Sequence, residues 1–438
     1  MAGGPRIIVG IDFGTTYSGV AFALQSSPDD VEVVRQWPGA RKSEFAVLKS
    51  SNQELILAGT MPKTPTTISY EAGKLLWGYQ TAMFGEVVRG IKLLLDPTQE
   101  IDYTPAVQSK KILAKYDKEP VDVARDYLQL LVNVAKETLR RRFGNALDSM
   151  EIRYVLTVPA VWTDKAKNMT LTAATDAGIS ALDVTLVSEP EAAALSCLNA
   201  IQPNTTENSD VVIICDAGGG TVDLISYRVK SVNPLELMEV TEGTGLEGGF
   251  LNMIKENVGR IFLPVVDEVE RLVQDQMVQI SMAGMRAKAI FLVGGFGSSE
   301  YLFRRLQSAV VDVTVLQPPN AWSAVVRYVS HSSAAIFGVS NKVPVERFCE
   351  GWEETSTSLY ICHLDDAPDH LTEDVFKVCT LEANLSAIPR NLFRSGTNSL
   401  GQSYYTIPYQ TAMTPTSASI LFNLEFNGVS YGSVQAKY

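Results

Sequence analysis

Residues 7–24 read IIVGIDFGTTYSGVAFAL. An apolar run ends at a single carboxylate, Asp12. Gly14, Thr15, Thr16 and Tyr17 follow, and the chain turns apolar again. The alternation predicts two strands joined by a tight turn. Glycine and threonine let successive backbone N–H groups point the same way. That makes a nest for an anion, and the hydroxyls add donors. A carboxylate at the mouth of such a nest repels the anion unless a cation sits between them.

The pattern recurs. Residues 211–227 read VVIICDAGGGTVDLISY, with Asp216 leading Gly218, Gly219, Gly220 and Thr221. Each copy is followed later by a strand, a turn and a helix, at residues 154–178 and 289–306, where Ser298 or Ser299 caps the second helix. One such hairpin alone is an ordinary glycine turn. Two, each led by an aspartate, predict two lobes on related plans, an α/β fold. Asp12 and Asp216 would face each other across a cleft. Mg²⁺ takes oxygen ligands, keeps several waters and bridges phosphates, so the two carboxylates would orient its water shell. Between the halves, residues 121–145 place Ala124, Tyr127, Leu131 and Val134 at helical spacing and end in three arginines and Gly144.

Two glycine patterns are decoys. Residues 85–92, GEVVRGIK, lack the contiguous Gly-Lys-Ser/Thr of a phosphate-binding loop. Residues 243–248, GTGLEG, match a dinucleotide fingerprint, but a helical pattern follows where a second parallel strand is required. They read instead as a glycine loop entering the cleft from the second lobe.

Composition sets limits. The 438 residues carry 37 Lys and Arg against 49 Asp and Glu, a formal net charge of −12 with no basic stripe, which argues against nucleic acid as a partner. No apolar run approaches the roughly 20 residues of a membrane helix, so no membrane partner is expected. Five widely spaced cysteines favour a reducing compartment over a disulfide framework, and a cytoplasmic location is expected. Cys349, Cys362, His363, His370 and Cys379 lack zinc-site spacing.

Five segments, in order, carry a resemblance: IVGIDFGTTYSGVA, VLTVPAVW with the helix to Gly178, SEPEAAAL at 188–195, DAGGGTVDL at 216–224 and FLVGGFGSS at 291–299. They resemble the signatures of the heat-shock-seventy chaperones, the divergent fungal members in particular, and more loosely those of actin and sugar kinases. The resemblance implies an actin-like ATPase fold, two related lobes around a nucleotide cleft, with ATP or ADP and Mg²⁺ as cofactors. Carried over by position, Gly14, Thr15, Thr16 and Tyr17 would hold the β- and γ-phosphates, and Gly218, Gly219, Gly220 and Thr221 would meet them from the second lobe. Asp12 and Asp216 would bind the metal's waters, with Asp223 supporting that shell. Glu189 would position the attacking water, and Lys92 matches the catalytic lysine. Gly294 and Gly295 would pass under the adenosine, while Gly248 and Gly249 would line its phosphate side. The plainer alternatives are a solvated Lys92 and a Glu189 that merely starts a helix. Cys215, inside an apolar strand, reads as core.

The implied domains are lobe I over 1–205, lobe II over 206–343 and a β-rich extension over 344–438. Lobe II is short: little chain separates Gly249 from Phe291, where such chaperones insert a subdomain that clamps the nucleoside. The remaining C-terminal residues are too few for a peptide-binding domain with a lid. There Ile420, Phe422, Leu424 and Phe426 alternate before Asn427-Gly428, a hairpin signal, and YYTIPYQTAM suggests a further strand. This implies a chaperone-like, slow ATPase with client or co-chaperone partners. A nucleotide-binding scaffold without turnover and a metabolite kinase on the same fold are the alternatives.

Overall fold

The computed structural model describes residues 5–40, 61–96, 103–201, 207–218, 221–232, 235–247, 258–310, 312–318, 325, 341–349, 354–362, 375–386, 388–389, 392–397, 403–415, 420–426, 429–433 and 435–437. The chain divides into two compact units, residues 1–334 and 335–438.

In the first unit, β1 (Arg6–Asp12) and β2 (Tyr17–Leu24) form an antiparallel hairpin around the opening motif, with Asp12 opposite Gly19. Ile7, Ile8, Val9 and Ile11 are all at most 1% exposed. Consecutive rather than alternate burial means that both faces of β1 are covered. β3 (Ser27–Val33) extends the sheet beyond β2. A long crossover over residues 34–150 then carries α1 (Thr104–Lys115) and α2 (Pro120–Phe143). α2 buries Ala124, Tyr127, Leu131 and Val134 along one stripe, and Gly144 ends it with its N–H on the Arg140 carbonyl. β4 (Glu151–Val158) returns parallel to β1, α3 (Asp164–Asp176) starts at the Thr163 cap, and β5 (Val184–Ser188) runs parallel to β4. α4 (Glu189–Ile201) follows directly.

The second half repeats the plan. β6 (Val211–Ala217) and β7 (Thr221–Val232) form the second Asp-led hairpin, and β8 (Leu235–Glu247) pairs with β7. The described crossover is one helix, α5 (Val258–Met282). β9 (Ala287–Val293) lies parallel to β6, and a helical turn, Gly294–Gly297, leads to α6 (Glu300–Ala309), capped by the Ser299 hydroxyl rather than by Ser298. β10 (Thr314–Leu316) closes the sheet. The two sheet paths are β3-β2-β1-β4-β5 and β8-β7-β6-β9-β10, the same order with the same strand senses. α4 packs between them. Ala192, Ala193, Ala194 and Cys197 share one core with Ile8 and Val155 of the first sheet and Ile214, Ile225 and Phe291 of the second. The alanine run of SEPEAAAL keeps the helix slim enough for close packing on both sides.

One expectation is corrected. GTGLEG does not form a loop as far as it is described: β8 continues through Glu247, with Gly245 opposite Asp223 and Glu247 opposite Thr221. The ladder offered by β7 outweighs the glycines' preference for a turn. Gly248 and Gly249 lie outside the described residues, as do Gly219 and Gly220.

The second unit is all β where described. β11 (Asn341–Cys349), β12 (Glu354–Cys362), β13 (Val375–Asn384), β14 (Arg394–Thr397), β15 (Ser403–Pro415), β16 (Ile420–Phe426), β17 (Val429–Ser433) and β18 (Gln435–Lys437) form two sheets. One has the path β11-β15-β16-β17 with β14 on β15, the other β12-β13-β18. YYTIPYQTAM lies within β15, and β16 pairs antiparallel with β17. Asn427 and Gly428, His363 and His370 lie outside the described residues. Among the described residues no helix is long and apolar enough to cross a membrane.

Candidate phosphate-binding cleft

Both Asp-led hairpins open onto one cavity of ≈ 400 Å³ in the first unit. Of the residues singled out from sequence, Asp12, Gly14, Thr15, Thr16, Tyr17, Lys92, Glu189, Asp216, Gly218, Gly294 and Gly295 line it. Asp223 stands opposite Asp216 in the β6–β7 ladder and is buried. Thr221 opens β7.

Asp12 and Asp216 sit at matching places, near the C-terminal ends of β1 and β6. Glu189 is the first residue of α4, where the helix dipole favours a carboxylate. It also takes part in the cleft, so its two readings are compatible. Lys92 is 2% exposed, which rules out a solvated side chain, and its ammonium donates to Glu189 Oε1. It also lies 5.6 Å from the Trp162 ring centroid, a cation–π contact. The Thr157 hydroxyl lies 3.4 Å from Glu189 Oε1 and 3.5 Å from Asp12 Oδ1, and its single proton can serve either acid.

Two polar groups at this cleft, Lys63 and Thr157, carry no sequence signal, and neither does Val325 on its lining. Lys63 Nζ pairs with Asp12 Oδ2 at 2.6 Å, and the Thr157 hydroxyl lies within reach of both acids. Neither belongs to a spacing pattern; the nearest sequence feature is the lysine opening the threonine-rich stretch KTPTT at 63–67.

The electrostatics favour a cation. Burial pushes the Asp216 carboxyl up to about 7, and the nearby Glu189 carboxylate adds to the rise. Lys63 pulls it down, Asp12 raises it, and Lys92 lowers it again. Burial also raises Glu189, against the pull of Lys92. A further positive charge between the hairpins would relieve both.

The residues present fit a Mg²⁺-nucleotide. The lining acids offer oxygen ligands, and among the described residues no cysteine or histidine lines the cavity, a set suited to Mg²⁺ rather than zinc. Thr15 Oγ1 is buried with no hydrogen-bond partner among the described residues, a donor awaiting an acceptor. Glycine is required where these turns fold closely on their own backbone. A Cβ on Gly14 would lie 2.2 Å from the Tyr17 carbonyl oxygen. Gly294, at φ +80°, would place one 2.4 Å from both Asp216 Oδ1 and the Ala217 carbonyl oxygen. Gly294→Ala is therefore expected to cost about 1–3 kcal/mol from backbone strain alone and to displace the Asp216 carboxylate. A lowered thermal midpoint together with weaker nucleotide binding by calorimetry would check this; an unchanged midpoint would contradict it.

A doubled sheet of this order, with an acidic residue from each half meeting in one cleft, defines the actin-like ATPase class of fold. The comparison with known proteins narrows it. Residues 8–232, just over half of the chain, match the family model described as Hsp70 protein. The chain belongs to the Hsp70 family. It is 25% identical over 318 residues to heat shock 70 kDa protein 12A of Mus musculus, across 56% of this chain and 44% of that protein. It is 28% identical over 199 residues to heat shock 70 kDa protein 12B of Homo sapiens, across 44% and 28%. It is 24% identical over 217 residues to the chaperone protein DnaK of Mycoplasma mycoides, across 50% and 29%. The matched region thus spans less than half the length of each of these relatives.

Proposed function

We propose that this chain binds ATP and ADP with Mg²⁺ in the cleft between its two sheets and hydrolyses ATP slowly, as a chaperone-like protein. The observation that carries the reading is the meeting of both Asp-led hairpins with the Lys92–Glu189 pair in one cavity. Backbone N–H groups of Gly14–Tyr17 and of Gly218–Thr221 would hold the phosphates. Asp12 and Asp216, with Asp223 behind, would orient the metal's waters. Glu189, steadied by Lys92 and Thr157, would position the attacking water. Gly294 and Gly295 would lie along the nucleoside, with Gly248 and Gly249 on its phosphate side. Mg²⁺ held there would offset the phosphates' charge, which is much of what phosphoryl transfer asks of a site. Movement of the two lobes would be the output passed to client or co-chaperone proteins. Buried, unpaired Cys197 and Cys215 suit the cytoplasmic location included in this reading.

A second reading keeps binding and loses turnover. Its support is the contrast between the long first crossover, 34–150, and the second, 248–286, in which α5 is the described element. The alignment to the mouse relative is also longer than the share of this chain it uses, so that relative has segments missing here. A missing nucleoside clamp would leave base contacts to the region around Gly294–Ser298 and weaken adenine selectivity.

Calorimetry with Mg-ATP and Mg-ADP, followed by phosphate release from the wild type and Asp12→Asn, separates the readings. Slow turnover predicts binding in the micromolar range, about −8 kcal/mol, and release that Asp12→Asn abolishes. Binding with equal release in both proteins would favour the scaffold. No binding at about 1 mM nucleotide would remove both.

A further inference from the structure

Lys63 has no part in the reading above, yet it occupies the place on Asp12 that a cation would be expected to take. We propose that Lys63 is a built-in counter-ion for the bound phosphates, so that this cleft retains much of its nucleotide affinity without divalent metal. The inference rests on the nucleotide reading of the cleft and adds to it a specific charge partner and a reduced dependence on Mg²⁺.

The first ground is position. Lys63 lines the same cavity as Thr15 and Gly14, and its Nζ lies 2.6 Å from Asp12 Oδ2, with the two side chains 10% and 5% exposed. An ammonium there sits beside the anion nest rather than out in solvent. One Asp12 carboxylate oxygen thus already faces a fixed positive charge, in an ion pair that lacks hydrogen-bond geometry and leaves Oδ2 room for a further donor.

The second ground is the mounting. The Lys63 carbonyl accepts from the Tyr79 hydroxyl at 3.1 Å. Thr64 and Pro65 pair with Ser18 and Tyr17 at the start of β2. The Thr66 N–H donates to the Thr16 carbonyl at 2.8 Å, and its hydroxyl donates to the Gly14 carbonyl at 2.8 Å. The segment is therefore strapped directly to the phosphate turn. A lysine held this way loses little freedom when a ligand arrives, and such preorganisation is what makes a charge effective in binding.

The third ground is the charge balance. Lys92 is taken up by Glu189 and Lys63 by Asp12. Among the described residues Asp216 is left as the lining acid without an ion-pair partner. Metal held chiefly through Asp216 would be easier to remove than metal held by both aspartates. The ammonium cannot be chelated away.

The test is calorimetric titration of the full chain with ADP in Mg²⁺ and again in EDTA, for the wild type, Lys63→Met and Lys63→Arg. One charge-assisted contact corresponds to about 10–100-fold in affinity. The wild type should lose no more than about tenfold on metal removal, Lys63→Met should lose at least about 100-fold, and Lys63→Arg should stay near the wild type. A wild-type loss above about tenfold overturns the proposal on its own, even if Lys63→Met fails to fold. So does an equal loss in the wild type and a folded Lys63→Met. In both cases nucleotide binding stands and only the role of Lys63 falls. A wild type that binds ADP under neither condition removes the nucleotide reading and this inference together.

Discussion

Lys92→Met is expected to lower unfolding free energy by about 3–5 kcal/mol, the usual cost of stranding one member of a buried ion pair. Glu189, 6% exposed, would be left with the Thr157 hydroxyl 3.4 Å away and no ammonium. The double variant Lys92→Met/Glu189→Gln removes both charges at nearly constant volume and should return to within about 1–2 kcal/mol of the wild type. Phosphate release should not return with it. If the pair positions water and offsets developing charge, release should fall by about 100-fold or more in both variants. Urea unfolding and a phosphate-release assay on the same preparations give the two readouts. Recovery of release along with stability would make the pair a structural tie and nothing more.

Asp216→Asn should have opposite effects on stability and function. In protein free of nucleotide and metal, the Asp216 carboxyl titrates near 7 instead of the ordinary 3.8, chiefly because it is buried. A folded-state value above the unfolded one means that the contribution is fully present below the unfolded pKa and lost as pH rises through the folded one. The wild type therefore loses stability between about pH 4 and pH 7, by roughly 4 kcal/mol at most for a shift of about three units. Asparagine does not titrate, so the variant's advantage should grow across that window and level off above it. The same substitution removes a carboxylate proposed for the metal's water shell, so Mg²⁺-dependent nucleotide binding and turnover should be lost. Urea midpoints at several pH values in EDTA, set against calorimetry in Mg²⁺, would check both. A pH-independent difference in stability would contradict the assignment of the strained carboxylate.

Much of this was legible in the sequence because the information is local. Asp12 and Asp216 each sit within a few residues of their glycine turn, so the two hairpins and their repetition could be read directly. α2 was visible from its stripe and its arginine-rich end. The alanines of SEPEAAAL marked a helix but not its neighbours, because packing between two sheets depends on distant chain segments. Lys63 was illegible for the same reason: the pairing of Thr64–Thr66 with the distant segment Gly14–Ser18 carries it to Asp12. GTGLEG misled because its glycines suggest a turn, while the competing ladder on β7 cannot be seen from those six residues. Between Ser298 and Ser299 the sequence offers two equivalent hydroxyls, and the start of α6 at Glu300 selects the second.

The matching sheet orders place Asp12 and Asp216 at equivalent positions of the two repeated halves, and an acid from each side gives the cleft no preferred direction. The lysines break that symmetry. Lys63 and Lys92 both come from the long crossover of the first half, and among the described residues no lysine or arginine of the second half lines the cavity. The lining is therefore polarised, and in the nucleotide reading proposed above the anionic end of the ligand is expected toward the lysine-bearing first half.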